Sequence, residues 1–396
     1  MKSKYFATIL TSLLMLFLFW EGLYLVREKG EDRPIKVGFI YENDESTPYT
    51  HNFIQAQIAM KEKYGDEVIV EARSNVQESE TEAPLKELIK DGCAIIFTNS
   101  YSENFLKYAR EYPNVQICQV SSEELDPSVY PSNYHTFKGE IYQGRYLSGI
   151  VAGMKLKEMI DDGLIRPEQA VVGYVAAFPN PEVISGFTAF FLGIRSIVPE
   201  ATMKVKYTYI WSSFSLERTV ANELIDEGCL VISQHCDTIA PALACEEADK
   251  TPKVYHVGYN QSMLDVAPTT SLVCSRINWE PYVVGAVGAV LKKQRIEKRV
   301  GGNVHGNDIS GGYFRDWVQL LDLNNAIAAE GTQAKLKEAL NALHRGSLHV
   351  FYGDYFGVSP YDPNDTYDLR KEFIENKKSS APAFHYILQD VITIEE

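Results

Sequence analysis

The chain contains no Cys-x-x-Cys pair, no Gly-x-Gly-x-x-Gly turn after an apolar run and no Walker-type Gly-rich loop ending in Gly-Lys-Ser/Thr. These absences argue against a zinc site, a dinucleotide-binding fingerprint and a phosphate cradle, respectively. Cysteine is sparse, with Cys93, Cys118, Cys229, Cys236, Cys245 and Cys274 among 396 residues. The even count permits disulfides. Their contexts are instead those of small buried hydrophobes: Cys93 and Cys118 open or sit in apolar runs, and Cys229 precedes Leu-Val-Ile. No cysteine precedes Cys93, so a lipid carried on an N-terminal cysteine is not expected. No Lys/Arg run beyond the N-terminus suggests a phosphate-tracking groove and the net charge is −15, so nucleic acid is not an expected partner.

What is present is a globular composition, 45% hydrophobic and 23% charged, long enough for two cores. Lys2 and Lys4 precede an uncharged stretch, 6–20, whose apolar character resumes after Glu21 and runs to Val26. A run of ~20 residues suffices to span a bilayer as a helix. With no Ala-x-Ala before Arg27, residues 1–30 are expected to be an uncleaved anchor rather than a signal peptide. That places the protein at the cell membrane with its folded part extracytoplasmic.

Beyond the anchor, strands and helices alternate. Strands are expected at 36–41, 68–72, 94–98 and 115–120, with helices at 50–63, 82–90 and 102–111 between and after them. After a Pro/Ser/Asn-rich stretch, 126–133, a long helix is expected over 140–160. Strands at 170–175, 203–210, 230–233 and 254–257 then alternate with helices at 181–197, 216–227 and 239–248. Near-continuous apolar strands in this rhythm imply parallel sheets covered on both faces, hence an α/β chain with two Rossmann-like lobes. Near the C-terminus, Leu336, Leu340 and Leu343 share one face of a helix expected over 332–345, with Gly346 as its stop.

The most informative stretch is Val172-Gly-Tyr-Val-Ala-Ala-Phe-Pro-Asn-Pro-Glu182. It reads as a buried strand, a Phe-Pro turn and a helix start. Ligands of open α/β sheets bind at such carboxyl ends. Phe178 offers an aromatic face, Asn180 an amide and Glu182 a carboxylate, a set suited to a flat, nitrogen-rich molecule; the alternative is an ordinary turn with a core phenylalanine.

The segments Asp44-Glu-Ser-Thr-Pro-Tyr-Thr-His51, Thr98-Asn-Ser-Tyr101, Ile141-Tyr-Gln-Gly-Arg-Tyr-Leu-Ser-Gly-Ile-Val-Ala-Gly153, Ala176–Glu182, Gln234-His-Cys-Asp237 and Asn278-Trp279 together resemble the basic membrane protein (BMP/PnrA-like) family of substrate-binding proteins of ABC transporters. The similarity runs from about Lys36 to the C-terminus. Thr47 stands where the family loop has Trp, and Asn260 where the family often has Asp. The resemblance implies a type I periplasmic-binding-protein fold, two lobes joined by a multi-crossing hinge and closing on a purine base or nucleoside. Crossings are expected at 126–133, near Asn260 and after Gly301, giving one lobe of 34–130 plus 261–305 and another of 131–260 plus 306–396.

A purine offers two π-faces and an edge of donors and acceptors, so its site needs aromatic plates and a few fixed polar groups. Phe178 and Tyr49 are the expected plates, with Tyr101 third. Asp44, Asn180, Glu182, His235, Asp237 and Asn260 are the expected polar contacts. Arg145, on the long helix, is read either as pairing with a carboxylate to order the hinge or as a surface arginine. Gly311–Trp317 either lines the cleft or packs. No cofactor, metal or catalytic group is expected. The expected partners are the small molecule, an ABC permease and the membrane; the alternatives are a membrane-tethered sensor with the same clamp and, more remotely, a nucleoside-processing enzyme.

Overall fold

The computed structural model describes residues 33–122 and 126–395. The expected anchor, 1–30, lies outside the described residues. Among those described, no helix is long and apolar enough to cross a membrane.

The first sheet begins with β1 (Ile35–Ile40), β2 (Val68–Arg73), β3 (Cys93–Thr98), β4 (Gln116–Val120) and β5 (Tyr134–Gly139). Helices α1 (Pro48–Tyr64), α2 (Glu82–Lys90) and α3 (Glu103–Glu111) connect them, and α4 (Ile141–Asp161) follows. The second sheet is built from β6 (Val171–Ala176), β7 (Thr202–Tyr207), β8 (Val231–His235), β9 (Tyr255–Tyr259) and β10 (Ser271–Ile277). Its helices are α5 (Pro181–Arg195), α6 (Phe214–Asp226) and α7 (Ala240–Glu247). Then come α8 (Glu280–Leu291), α9 (Ile296–Arg299), β11 (Asn303–His305), β12 (Asp308–Gly311), β13 (Val318–Leu321) and α10 (Thr332–His344). Strands β14 (Phe356–Val358), β15 (Thr366–Asp368), β16 (Ile387–Leu388) and β17 (Ile392–Glu395) end the chain.

The first sheet has the order β11-β12-β5-β4-β3-β1-β2 and the second β13-β10-β9-β8-β6-β7-β17. Both are parallel except at one edge, where β11 and β13 run antiparallel. A small antiparallel sheet, β15-β14-β16, lies outside both. The α/β rhythm read from the apolar runs is the one the chain adopts, and all six cysteines are buried and free.

The crossings fall elsewhere than expected. The chain passes between lobes after Gly139, after Ile277 and over 312–317, because β5 and β12 still belong to the first sheet and β10 to the second. The stretch 126–133 is therefore internal to the first lobe, and Gly311–Trp317 is the third crossing, with Trp317 buried. β5 escaped sequence reading because Tyr134-His-Thr-Phe-Lys-Gly139 mixes polar and apolar residues, yet all six are buried. Each polar side chain has its own partner, as burial requires: His135 faces Glu297 at 2.5 Å, Thr136 donates to Asp308 at 2.6 Å, and Lys138 donates to Glu182 at 2.8 Å.

Non-covalent ties cross between lobes as well. The Asn52 amide of α1 donates to the Asn260 carbonyl at 2.8 Å. The C-terminal segment is rooted in the second lobe by buried Glu375, which accepts from the Ser185 hydroxyl at 2.9 Å and the Phe384 N–H at 2.9 Å. From there it reaches the first lobe, where the Ser380 hydroxyl donates to Asp308 and meets Ser121.

Candidate functional site

A cleft opens between the lobes at the carboxyl ends of both sheets, the place such sheets bind ligands. The first lobe supplies Glu42 and Asn43 after β1, Tyr49 from the first turn of α1, Asn99 to Tyr101 after β3, Ser121 and Ser122 after β4, and Lys138 from β5. The second supplies Glu182 from the first turn of α5, Trp211 after β7, His235 and Asp237 around the end of β8, and Tyr259 at the end of β9.

The first-lobe wall is organised by Asn99. Its side-chain oxygen accepts from the Glu42 N–H at 2.9 Å, its amide donates to the Thr50 hydroxyl at 3.2 Å, and its carbonyl accepts from the Tyr49 hydroxyl at 3.1 Å. The Tyr49 ring stands edge-on to Trp279, 5.9 Å between centroids. Lys138 and Glu182 meet across the cleft at 2.8 Å with little exposure, and the other Glu182 oxygen is 3.9 Å from the His235 Nε2. Glu182 is thus engaged by Lys138.

Asp237 is half-buried, its N–H donating to the Trp211 carbonyl at 2.8 Å. Burial, then the carboxylates of Glu217, Glu42 and Glu182, push its pKa up to about 8. A carboxyl whose folded pKa lies above its unfolded value of about 3.9 contributes stability fully present below that lower value. That contribution is lost as pH rises through about 8. Asp237→Asn is therefore expected to gain stability relative to the unaltered protein as pH is raised from about 4 to about 9. Denaturant unfolding of both across that range checks this; a pH-independent difference would mean that Asp237 ionises like an exposed aspartate.

Of the residues singled out from sequence, the structure brings Tyr49, Tyr101, Glu182, His235 and Asp237 together in the cleft. It does not bring Asp44, Phe178, Asn180 or Asn260 to the lining. Asp44 closes a turn, accepting from the Ser46 N–H at 3.0 Å and the Asn75 amide at 3.4 Å. Asn180 caps α5, accepting from the Val183 N–H at 3.0 Å. Phe178 is half-buried outside the lining, its ring angled against Trp211 at 5.4 Å. Asn260 is buried at the lobe junction in a left-handed conformation, φ 65°, which asparagine tolerates. Arg145 is neither paired with a carboxylate nor on the surface: it is fully buried.

Sequence reasoning missed Trp211, Tyr259 and Lys138. Trp211 and Tyr259 follow or end strands that were recognised, so the rule that picked out Phe178 would also have found them. Lys138 was hidden with β5.

Two lobes of parallel sheet, three crossings and a polar, aromatic cleft between the strand ends define a fold of the periplasmic-binding class. The chain belongs to the family described as ABC transporter substrate-binding protein, PnrA-like, whose model matches residues 38–346. It is 29% identical over 276 residues to a purine-binding protein of Brucella abortus (strain 2308), covering 68% of this chain and 73% of that protein. It is 32% identical over 230 residues to a Haloferax volcanii protein named as an ABC transporter glucose-binding protein, covering 58% of this chain and about half, 54%, of the relative. Similar folds occur in a solute-binding protein of an ABC transporter system from Conexibacter woesei, with TM-score 0.60, 17% identity and coverage of 79% and 97% of the two chains. Another is a periplasmic solute-binding protein from Actinobacillus succinogenes with bound D-allose, with TM-score 0.54, 14% identity and coverage of 74% and 99%. Family and fold are those of solute-binding proteins, not of enzymes.

Proposed function

We propose that the protein captures a purine base or nucleoside between its lobes and delivers it to an ABC permease, with the N-terminal apolar segment as its tether. The observation that carries this reading is the meeting of aromatic side chains from opposite lobes, Tyr49 and Trp211, around His235, Asp237 and the Lys138–Glu182 pair. Flat rings between such walls gain stacking energy, while a few polar groups read the edge. The purine-binding relative from Brucella supports the same class. The cleft holds about 90 Å³. A single water needs about 10–15 Å³ by this measure, so the space is roomy enough for a small molecule of several water volumes.

The glucose-binding name of the Haloferax relative gives one competing reading, since aromatic faces and carboxylates also suit a sugar. Thermal unfolding of the fragment 33–396 with adenine, guanine, hypoxanthine, their nucleosides and D-glucose separates the two. Ligand binding to the native state raises the melting temperature by mass action. A rise with a purine and none with glucose is the expected result; a rise with glucose alone would replace the purine reading.

A further inference from the structure

Arg145 projects from the first turns of α4 into the second lobe, where it has no solvent exposure. None of its guanidinium nitrogens has a hydrogen-bond partner among the described residues. Its nearest companions are π-faces: the guanidinium carbon sits 3.8 Å over the Tyr259 ring and 5.9 Å from the Tyr174 ring. Tyr259 in turn lies 4.5 Å from the His235 ring, and both Tyr259 and His235 line the cleft. α5 leaves room for this stack by placing Gly186 there. A Cβ at that position would stand 2.7 Å from the His235 Nδ1 and 3.8 Å from the Arg145 Nε.

An arginine stays protonated in a protein interior, and an unpaired buried charge is costly. Contact with a tyrosine face offsets only part of that cost. Fixed charges kept against such a cost concentrate at functional sites. We propose that Arg145 is a positioning residue of the ligand cleft, whose buried guanidinium holds the Tyr259 ring against His235 and, together with burial and Lys138, disfavours a second cation there. His235 then offers the ligand one donor and one acceptor instead of a second cation.

The surroundings of His235 agree. Lys138 of β5 and Arg145 of α4 oppose its protonation, and burial opposes it most, so that its pKa lies well below the ordinary value. The groups that would favour protonation are weakened: Glu182 of α5 is paired with Lys138, and Asp237 has its carboxyl pushed up to about 8. Tyr174 of β6, Tyr259 of β9 and the neighbouring thiol of Cys236 all have raised pKa values and stay neutral. With Arg145 neutralised, the balance at His235 moves toward protonation.

This inference rests on the cleft being the ligand site. Its test uses the full chain, Arg145→Met, which keeps length without charge, and Arg145→Lys, which keeps charge without the planar stack. His235→Gln identifies the His235 imidazole resonances. Those resonances are followed from pH 8 to pH 5, alongside adenine affinity. In the unaltered protein His235 is expected to remain neutral throughout. In Arg145→Met it is expected to begin taking up a proton toward the acid end of this range, with burial still opposing it, and the ratio of unaltered to variant affinity to grow toward pH 5. Arg145→Lys should restore the neutral imidazole. A folded Arg145→Met in which His235 stays neutral and the affinity ratio is the same at both pH values would overturn the proposal. If the methionine variant fails to fold, Arg145→Gln is read the same way. If adenine does not bind the unaltered protein, the purine reading falls while the imidazole titration still decides the role of Arg145.

Discussion

Trp211→Ala is expected to weaken purine binding by about 1–3 kcal/mol, the usual value of one base–aromatic stack removed by alanine. The ring borders the cleft from the second lobe, and its backbone carbonyl also holds Asp237. Phe178→Ala should cost less, because Phe178 is not among the lining residues and packs against Trp211. Calorimetric titration of adenine into the two variants gives the comparison. Equal losses would mean that the two rings act as one unit, and a larger loss at Phe178 would return that residue to the ligand surface.

The second large effect concerns stability. Gly193→Ala is expected to destabilise the second lobe by about 3 kcal/mol or more, at or above the upper end of overpacking effects. α4 and α5 cross so closely that a Cβ on Gly193 would lie 2.1 Å from the Tyr146 carbonyl oxygen, and one on Gly149 would lie 2.0 Å from the Phe190 carbonyl oxygen. Backbone cannot yield as a flexible side chain does, so the helices must move apart. The contact is internal to one lobe. Hydrogen exchange should therefore show loss of protection in β6 and β8 while β1 and β3 stay protected; uniform loss across both sheets would instead show that the lobes unfold as one unit.

Much of the architecture was readable because burial on both faces of a parallel sheet leaves continuous apolar runs, as in 37–40, 94–97 and Val171–Ala176. The same logic failed at β5, whose His135, Thr136 and Lys138 are buried against Glu297, Asp308 and Glu182. Those partners lie 162, 172 and 44 residues away. No local pattern announces a polar strand satisfied at such range, and missing it displaced the first crossing and concealed Lys138.

At the cleft, His235, Asp237 and Glu182 could be picked out because strand ends and first helical turns face ligands in open sheets. Phe178 and Asn180 satisfied the same rule and were turned to structural work. Asn180 must cap α5, whose early N–H groups have no helical partners, and Phe178 packs on a tryptophan from another loop. Arg145 shows the limit most clearly. A helical arginine in sequence reads as exposed or paired, and only the meeting of α4, α5, β8 and β9 encloses it against Tyr259.

Local periodicity and contiguous motifs already carry the α/β alternation, the two-lobed class and the family. The tertiary structure alone decided where the lobes exchange chain, which aromatic rings face each other and which charges are buried. Those outcomes depend on contacts between residues far apart in the chain, and such contacts leave no periodic trace in either partner.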